Sequence, residues 1–208
     1  RYAEANRTLD AVEPLLPPGV SRLRARYLLE RGRVLNSSGQ PDRARPLFLD
    51  ALRIAQQAGE DYYAVDAAHM LAIVSSGEER LDWNRRGLAM AAGSDDPRAR
   101  GWMGSLYNNL GWTHHERGEL AEALYCFEEA LRARLEQGDA KRIPVARWCV
   151  ARGLRSLGRV EEALRIQQDL RAELERIGEH DPHVTEEIAA CLTALGRTGE
   201  APAGEARS

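Results

Sequence analysis

The stretch that decides the fold is GSLYNNLGWTHHERGELAEALYCFEEAL, at residues 104–131. Apolar or small residues recur in its first part at Tyr107, Leu110, Gly111 and His114, and in its second part at Ala123, Phe127 and Ala130. The spacing within each set is that of one face of an α-helix. Gly118 stands between the two parts and ends the first helix. The stretch therefore predicts two helices joined by a tight turn, with small residues at Gly111 and Ala123 where the backbones approach closely.

The turn in this stretch has counterparts elsewhere in the chain. GELAEA at 118–123 is matched by GQPDRA at 39–44, GRVEEA at 158–163 and GRTGEA at 196–201. The residues that correspond to Gly111 are Gly32, Ala68, Ala151 and Ala189, at intervals of 36 to 43 residues. Such a period is typical of a repeat protein, in which each repeat is one supersecondary unit. We therefore expect a series of helix pairs along the chain.

One repeat departs from the pattern. In its first helix Ala64, Ala67, Ala68 and Leu71 fit well. In its second helix Arg80, Asn84 and Gly87 occupy positions where alanine, an aromatic residue and alanine are expected. We expect this second repeat to be the least regular of the set.

The order of residues in 104–131 resembles the tetratricopeptide repeat signature. The signature has an aromatic residue, Leu, Gly, Tyr, Gly, Ala, an aromatic residue and Ala at this spacing; His114 replaces the tyrosine, and the terminal proline is absent. The long period resembles the tetratricopeptide arrays of kinesin light chains and of bacterial signalling regulators. The resemblance implies an all-α fold, a right-handed α-solenoid of antiparallel helix pairs with about ten helices in the superhelix.

We expect this solenoid to occupy residues 1–197 as a single domain. The expected parts are the second helix of a truncated repeat at 1–16, helix pairs at 21–58, 61–92, 97–137 and 144–177, a capping helix at 182–195 and a disordered tail at 198–208. Asp96 and Asp181 each precede a proline and are expected to cap the helices that begin there, and Gln40 is expected to do the same more weakly.

Composition favours a soluble cytoplasmic protein. The 208 residues include 29 Lys and Arg against 32 Asp and Glu, a net charge of −3, which gives no electrostatic reason to bind nucleic acid. No apolar run approaches the roughly 18–20 residues that cross a bilayer, and the first ten residues do not resemble a signal peptide. The three cysteines, Cys126, Cys149 and Cys191, lie in helical patterns and are interpreted as buried thiols in a reducing compartment.

The sequence does not suggest an enzyme. It contains no phosphate-binding glycine loop, nucleophile elbow or paired-cysteine metal motif. HERGE at 115–119 has the form of a zinc ligand motif, but Gly118 breaks the helix that would present it. His180 and His183 flank Asp181, which is better explained as a helix cap. We therefore expect no catalytic residues, no metal and no cofactor.

The resemblance implies that the first helix of each repeat lines a concave groove. Residues that the family's groove positions assign to this surface are Arg26, Arg33, Asn36, His69, Asn108, Asn109, Trp112, His115, Trp148, Arg152 and Arg155. Tryptophan with arginine is typical of interface hot spots, and asparagine can pair with a peptide backbone. We therefore expect a protein or peptide partner. The alternative is that Trp112 and Trp148 only pack on each other.

The family's clamp for a C-terminal acidic tail is not expected here. Val145, Leu29 and Trp148 stand where that clamp would have lysines. Two other functions remain open. One is self-assembly, as a homodimer that stacks through an uncapped N-terminal helix; the other is a role as the sensor portion of a larger signalling protein. Nucleic-acid binding would use Arg24, Arg26, Arg33, Arg147, Arg152 and Arg155, but interleaved acidic residues weaken their field.

Overall fold

The structure is a computed structural model that describes residues 2–197. It contains eleven α-helices, one 3-10 helix at Glu13–Leu15 and no strand within that range. The helices are α1 (Tyr2–Val12), α2 (Ser21–Ser37), α3 (Pro41–Gln57), α4 (Asp61–Ile73), α5 (Gly77–Ala92), α6 (Pro97–Arg100), α7 (Met103–Glu116), α8 (Leu120–Glu136), α9 (Ile143–Ser156), α10 (Val160–Arg176) and α11 (Pro182–Ala194). The all-α prediction is confirmed. Residues 198–208, where we expect a disordered tail, lie outside the described range.

The repeated glycine closes the first helix of three pairs, at the ends of α2, α7 and α9, as the sequence indicated, whereas α4 ends without one. Gly118 has φ +76° and Gly158 has φ +80°, both in the left-handed region that only glycine adopts without strain. The residue after each glycine donates its backbone N–H to the carbonyl five residues back, from Glu119 to His114 and from Arg159 to Leu154. These bonds are those of a Schellman C-cap, which turns the chain into the next helix.

The small residue of the first helix faces the large residue of the second. A Cβ added to Gly111 would lie 2.5 Å from Cδ1 of Phe127, and one added to Gly32 would lie still closer to the ring of Phe48. Both phenylalanines are fully buried. In the second and fourth repeats, Asn84 and Gln167 occupy the register of these rings, and both are buried.

Contacts between helices divide the chain into two compact units, with the boundary between Leu110 and Gly111. In the first unit, α2 pairs with α3 and α4 pairs with α5, while α2 also contacts α4. Its largest core cluster extends from Ala25 to Trp83 and is rich in alanine and leucine. Alanine is common there because short side chains let the helices of neighbouring pairs approach closely.

The second unit is built in the same way. Helix α9 pairs with α10, and α8 and α11 pack against this pair. Its core cluster extends from Ala123 to Leu192 and includes the buried thiols of Cys149 and Cys191, which form no disulfide within the described residues. Burial raises the pKa of both thiols to about 11. At neutral pH they therefore stay protonated and pack as small apolar groups.

The structure differs from the sequence-based expectation at two helix starts. The helix that begins at Pro97 ends at Arg100, and α7 begins only at Met103, because the backbone tightens at Gly101 and Trp102 N–H donates to the carbonyl of Ala99. Gln40 makes no side-chain cap, so that prediction is wrong. Its side chain instead donates to the Ser38 hydroxyl.

The predicted caps at Asp96 and Asp181 are confirmed. Each carboxylate accepts the backbone N–H two residues on, at 2.9 Å. Among the described helices, none has both the length and the apolar character that a membrane span requires.

Candidate functional site

A cleft in the first unit lies along its first helices. It has a volume of ≈ 610 Å³ and is formed by α2, α4 and the segment from α6 to the start of α7. Its lining residues are Arg26, Leu29, Glu30, Arg33, Tyr62, Tyr63, Asp66, Arg98 and Trp102. The cleft therefore spans the first helices of three successive repeats, which is the surface that the family resemblance assigned to ligands.

Most charges in this cleft are already paired. Arg33 is bonded to Asp66, which is buried, and its other amino group donates to Glu30 at 2.9 Å. Arg98 donates to Asp96 at 2.8 Å on the exposed edge. Arg26 is exposed and has no hydrogen-bond or ion-pair partner among residues 2–197. Its guanidinium is therefore a cation of the cleft that is available to a ligand.

The aromatic wall of the cleft is made by Tyr62 and Trp102, whose ring centroids are 6.2 Å apart. Trp102 also packs on His69 at 4.9 Å. The guanidinium of Arg98 lies 5.3 Å from the centre of the Tyr62 ring. This arrangement offers flat apolar surface beside positive charge.

His69 lies behind this wall rather than in the cleft. Its Nδ1 is buried without a hydrogen-bond partner in the described structure. Burial, followed by the charge of Arg33, lowers the pKa of His69 to about 4. The imidazole is thus neutral at pH 7 and supports Trp102, which differs from the ligand-facing position that we expected.

In the second unit, Trp112 and Trp148 pack on each other, with ring centroids 6.1 Å apart. Trp112 also makes edge contacts with Phe127 at 5.1 Å and with His115 at 5.4 Å. Trp148 Nε1 donates to the carbonyl of His183 at 3.1 Å. The packing that the sequence left open as an alternative is therefore present, and both indoles remain half-buried.

Arg152 and Arg155 converge on one buried carboxylate, that of Glu187. Arg152 Nη1 donates to it at 3.1 Å and Arg155 Nη2 at 3.3 Å, while Arg155 Nε makes a shorter bond. His115 pairs with Ser156 at 2.8 Å, and burial, aided by the two arginines, lowers the pKa of its imidazole. These predicted residues lie close together in the structure, but the two arginines bind Glu187 and thereby join α9 to α11.

The predicted asparagines do not line the cleft. Asn36 is half-buried near the end of α2. Asn108 and Asn109 lie half-buried in the middle of α7. His114, which directly precedes HERGE, is buried, and its Nδ1 lies 2.5 Å from Glu119 at the end of that stretch. No group of three or more potential metal ligands occurs in the part of the chain that the structure describes.

The cleft is also lined by Tyr62, Tyr63, Arg98 and Trp102, which the sequence analysis did not assign to a ligand. Tyr62 occupies a groove position of the second repeat, so the repeat register contained the signal. Trp102 both packs on His69 and lines the cleft. Because α6 ends before it, the helical phase of the repeat does not predict where Trp102 lies.

Comparison with known proteins agrees with the helix-pair geometry. Residues 104–136 match the family described as tetratricopeptide repeat. A search of curated protein sequences finds no match. Repeats of this family generally form non-enzymatic scaffolds for protein–protein interaction.

Two solved structures share the fold. BtubC (BKLC) from P. vanneervenii superposes with a TM-score of 0.80 at 16% identity, over 96% of this chain and 85% of that one. A kinesin-light-chain-type protein with nearly identical TPR-like repeats, from Podosopora anserina, gives 0.69 at 19% identity, over 89% and 92%. Residues 104–136 are therefore similar to a tetratricopeptide repeat, and the described chain shares the helix-pair fold of these two structures.

Proposed function

We propose that the protein is a non-enzymatic scaffold that binds a peptide segment or a helix of a partner protein on the face formed by its first helices. The observation that carries this proposal is Arg26. It is exposed on the cleft of the first unit and forms no hydrogen bond or ion pair among residues 2–197. The other arginines of that cleft are held by acidic residues.

The chemistry of the cleft suits a peptide. Tyr62 and Trp102 provide a rigid aromatic surface for an apolar side chain, and Arg26 can donate to a carboxylate or a backbone carbonyl. Aromatic residues and arginine are enriched among the residues that carry most of the binding energy at protein interfaces. The aromatic ones bury large areas at a small cost in conformational entropy. A cleft of ≈ 610 Å³ is within the range that accommodates a few side chains.

The alternative partners have weaker support. Of the six arginines considered for nucleic acid, Arg24, Arg33, Arg147, Arg152 and Arg155 are all paired with acidic side chains. Such pairing reduces the positive field that phosphate binding requires. Homodimer formation, a sensor role in a larger protein and a cytoplasmic location stay predictions.

The test is affinity capture from a cell extract with three forms of the protein. Arg26→Glu reverses the charge in the cleft, and Arg165→Glu is the matched control, because Arg165 is exposed on the second helix α10. We expect a partner that the unaltered protein and Arg165→Glu retain and that Arg26→Glu loses. Equal retention by both variants would show that this cleft does not bind the partner. Circular dichroism checks that both variants keep their helix content.

A further inference from the structure

A second cavity lies in the second unit, away from Arg152 and Arg155. Its volume is ≈ 250 Å³, and it is lined by Val145 and Trp148 from the start of α9 and by Asp181 and His183 from the start of α11. Val145 is 56% exposed although its side chain is apolar. The cavity thus combines exposed apolar surface, an indole and one carboxylate.

The indole of Trp148 is held in place from two sides. Its Nε1 donates to the carbonyl of His183, and the imidazole of His183 meets the indole edge-on at 6.4 Å. Trp112 packs against it at 6.1 Å. A fixed aromatic side chain adds little conformational entropy cost when a ligand binds.

Only one oxygen of the Asp181 carboxylate accepts a hydrogen bond within the described structure. Oδ1 accepts the backbone N–H of His183 at 2.9 Å as the cap of α11. Oδ2 has no partner among the described residues, and the side chain is half-buried. The helix N-terminus contributes about half a positive charge, so the local charge remains negative. None of the residues that line the cavity is a lysine or an arginine.

We propose that this cavity binds the side chain of a lysine in the partner segment. Val145 and Trp148 cover the methylene stem, since a lysine stem packs along apolar surface while its head stays polar. The ammonium is placed at Oδ2 of Asp181, near the indole, where a cation–π attraction adds to the ion pair. The proposal rests on the proposed function, because it names one side chain of the segment that the first helices would bind.

Two alternatives fit the cavity less well. An arginine pairs best with both oxygens of a carboxylate, and one oxygen of Asp181 is already used by the helix cap. A purely apolar side chain would cover Oδ2 and remove its water without supplying a hydrogen bond, which is unfavourable. An ammonium needs only one oxygen.

The test uses two small probes, Nα-acetyl-lysine methylamide and Nα-acetyl-norleucine methylamide; they share the same four-carbon stem, and norleucine has hydrogen in place of the ammonium. The indole N–H resonance of Trp148, assigned with Trp148→Phe, reports binding by nuclear magnetic resonance. We expect the lysine probe to shift this resonance in a saturable manner with millimolar affinity. We expect the norleucine probe to bind about tenfold more weakly.

Asp181→Asn is the matched variant, because asparagine caps a helix as well as aspartate and removes only the charge. It should abolish the preference for lysine and leave the resonances of the unbound protein nearly unchanged. Equal binding of both probes, or an unchanged preference in Asp181→Asn, would overturn the proposal in favour of an apolar anchor site. No shift with either probe would overturn it as well. Since neither probe needs the cleft of the first unit, this test can fail while the Arg26→Glu capture succeeds, and the reverse.

Discussion

The guanidinium of Arg33 is bonded to the carboxylate of Asp66, which lies 33 residues further on, in the first helix of the next repeat. Asp66 is only 3% exposed, so this ion pair joins α2 to α4 inside the face where ligands are expected. Arg33 directly follows the small residue Gly32, and Asp66 lies two residues before the corresponding Ala68.

The same register occurs in the second unit. Arg152 follows Ala151, and its partner Glu187 lies two residues before Ala189. Glu187 is also 3% exposed. The two ion pairs therefore join successive first helices in equivalent ways. They also explain why several arginines that were predicted to bind a ligand instead pair with acidic residues of this chain.

Replacing Asp66 by asparagine should destabilise the protein by about 2–4 kcal/mol. The change keeps the shape but leaves the charge of Arg33 without its buried partner, and removal of one partner from a buried pair is costly. Urea denaturation measures the effect. The matched double variant Arg33→Met/Asp66→Asn should recover much of the loss. If the stability losses of the two single changes simply add in the double variant, Arg33 and Asp66 are not energetically coupled, and the ion pair does not stabilise the contact between α2 and α4.

The stability should fall when the pH is lowered from about 6.5 towards 4, in part because of His69. Its pKa is about 4 in the folded protein, where burial and Arg33 oppose protonation, against about 6.5 in the unfolded chain. Between these values the unfolded state binds more protons, so the contribution of His69 is fully present above pH 6.5 and is lost as the pH falls through this window.

The expected loss is on the order of 2–3 kcal/mol at pH 4. Urea titrations at several pH values, on the unaltered protein and on His69→Phe, isolate it. The phenyl ring preserves packing on Trp102 and cannot be protonated. A pH profile of His69→Phe that parallels that of the unaltered protein would contradict the assignment.

Gly111→Ala should destabilise the second unit by about 1–3 kcal/mol. The new methyl group would lie 2.5 Å from two ring carbons of Phe127, and crowding of a packed core forces side chains out of their preferred rotamers. The loss of stability caused by Gly111→Ala should be smaller when Phe127 is first replaced by leucine. Thermal denaturation of the unaltered protein, the two single variants and the double variant measures this difference. A penalty that is the same beside leucine would show that the ring does not require the glycine.

Gln167→Met should stabilise the protein by about 1 kcal/mol. The glutamine is fully buried, and neither its Oε1 nor its Nε2 has a hydrogen-bond partner within the described structure. An unsatisfied buried amide carries a desolvation penalty that methionine, of similar length, removes. A lower denaturation midpoint for the variant would contradict this prediction. Exposed Gln57, changed to methionine in the same way, serves as the control, with little expected effect.

Much of the fold could be predicted because the repeat is recognisable from the spacing of glycine, small and aromatic residues along short stretches of the chain. The sequence indicates that Gly118 ends a helix, and the structure shows its positive φ. The sequence also indicates that the small Gly111 and the aromatic Phe127 lie on the facing sides of two paired helices. The break between α6 and α7 was missed because it depends on a single tightened turn at Gly101. Tyr62 was missed although its register pointed to the groove.

The sequence by itself determined the helix pairs, their turns and the face on which the first helices would present their side chains, because these depend on residues three, four or seven apart and on the conformational freedom of glycine. Only the tertiary structure decided which of those side chains are free. Arg26 and Arg33 look alike in the sequence, yet Arg33 meets the carboxylate of a helix 33 residues away and Arg26 does not. Charge neutralisation acts through space, so it appears only once the helices are stacked.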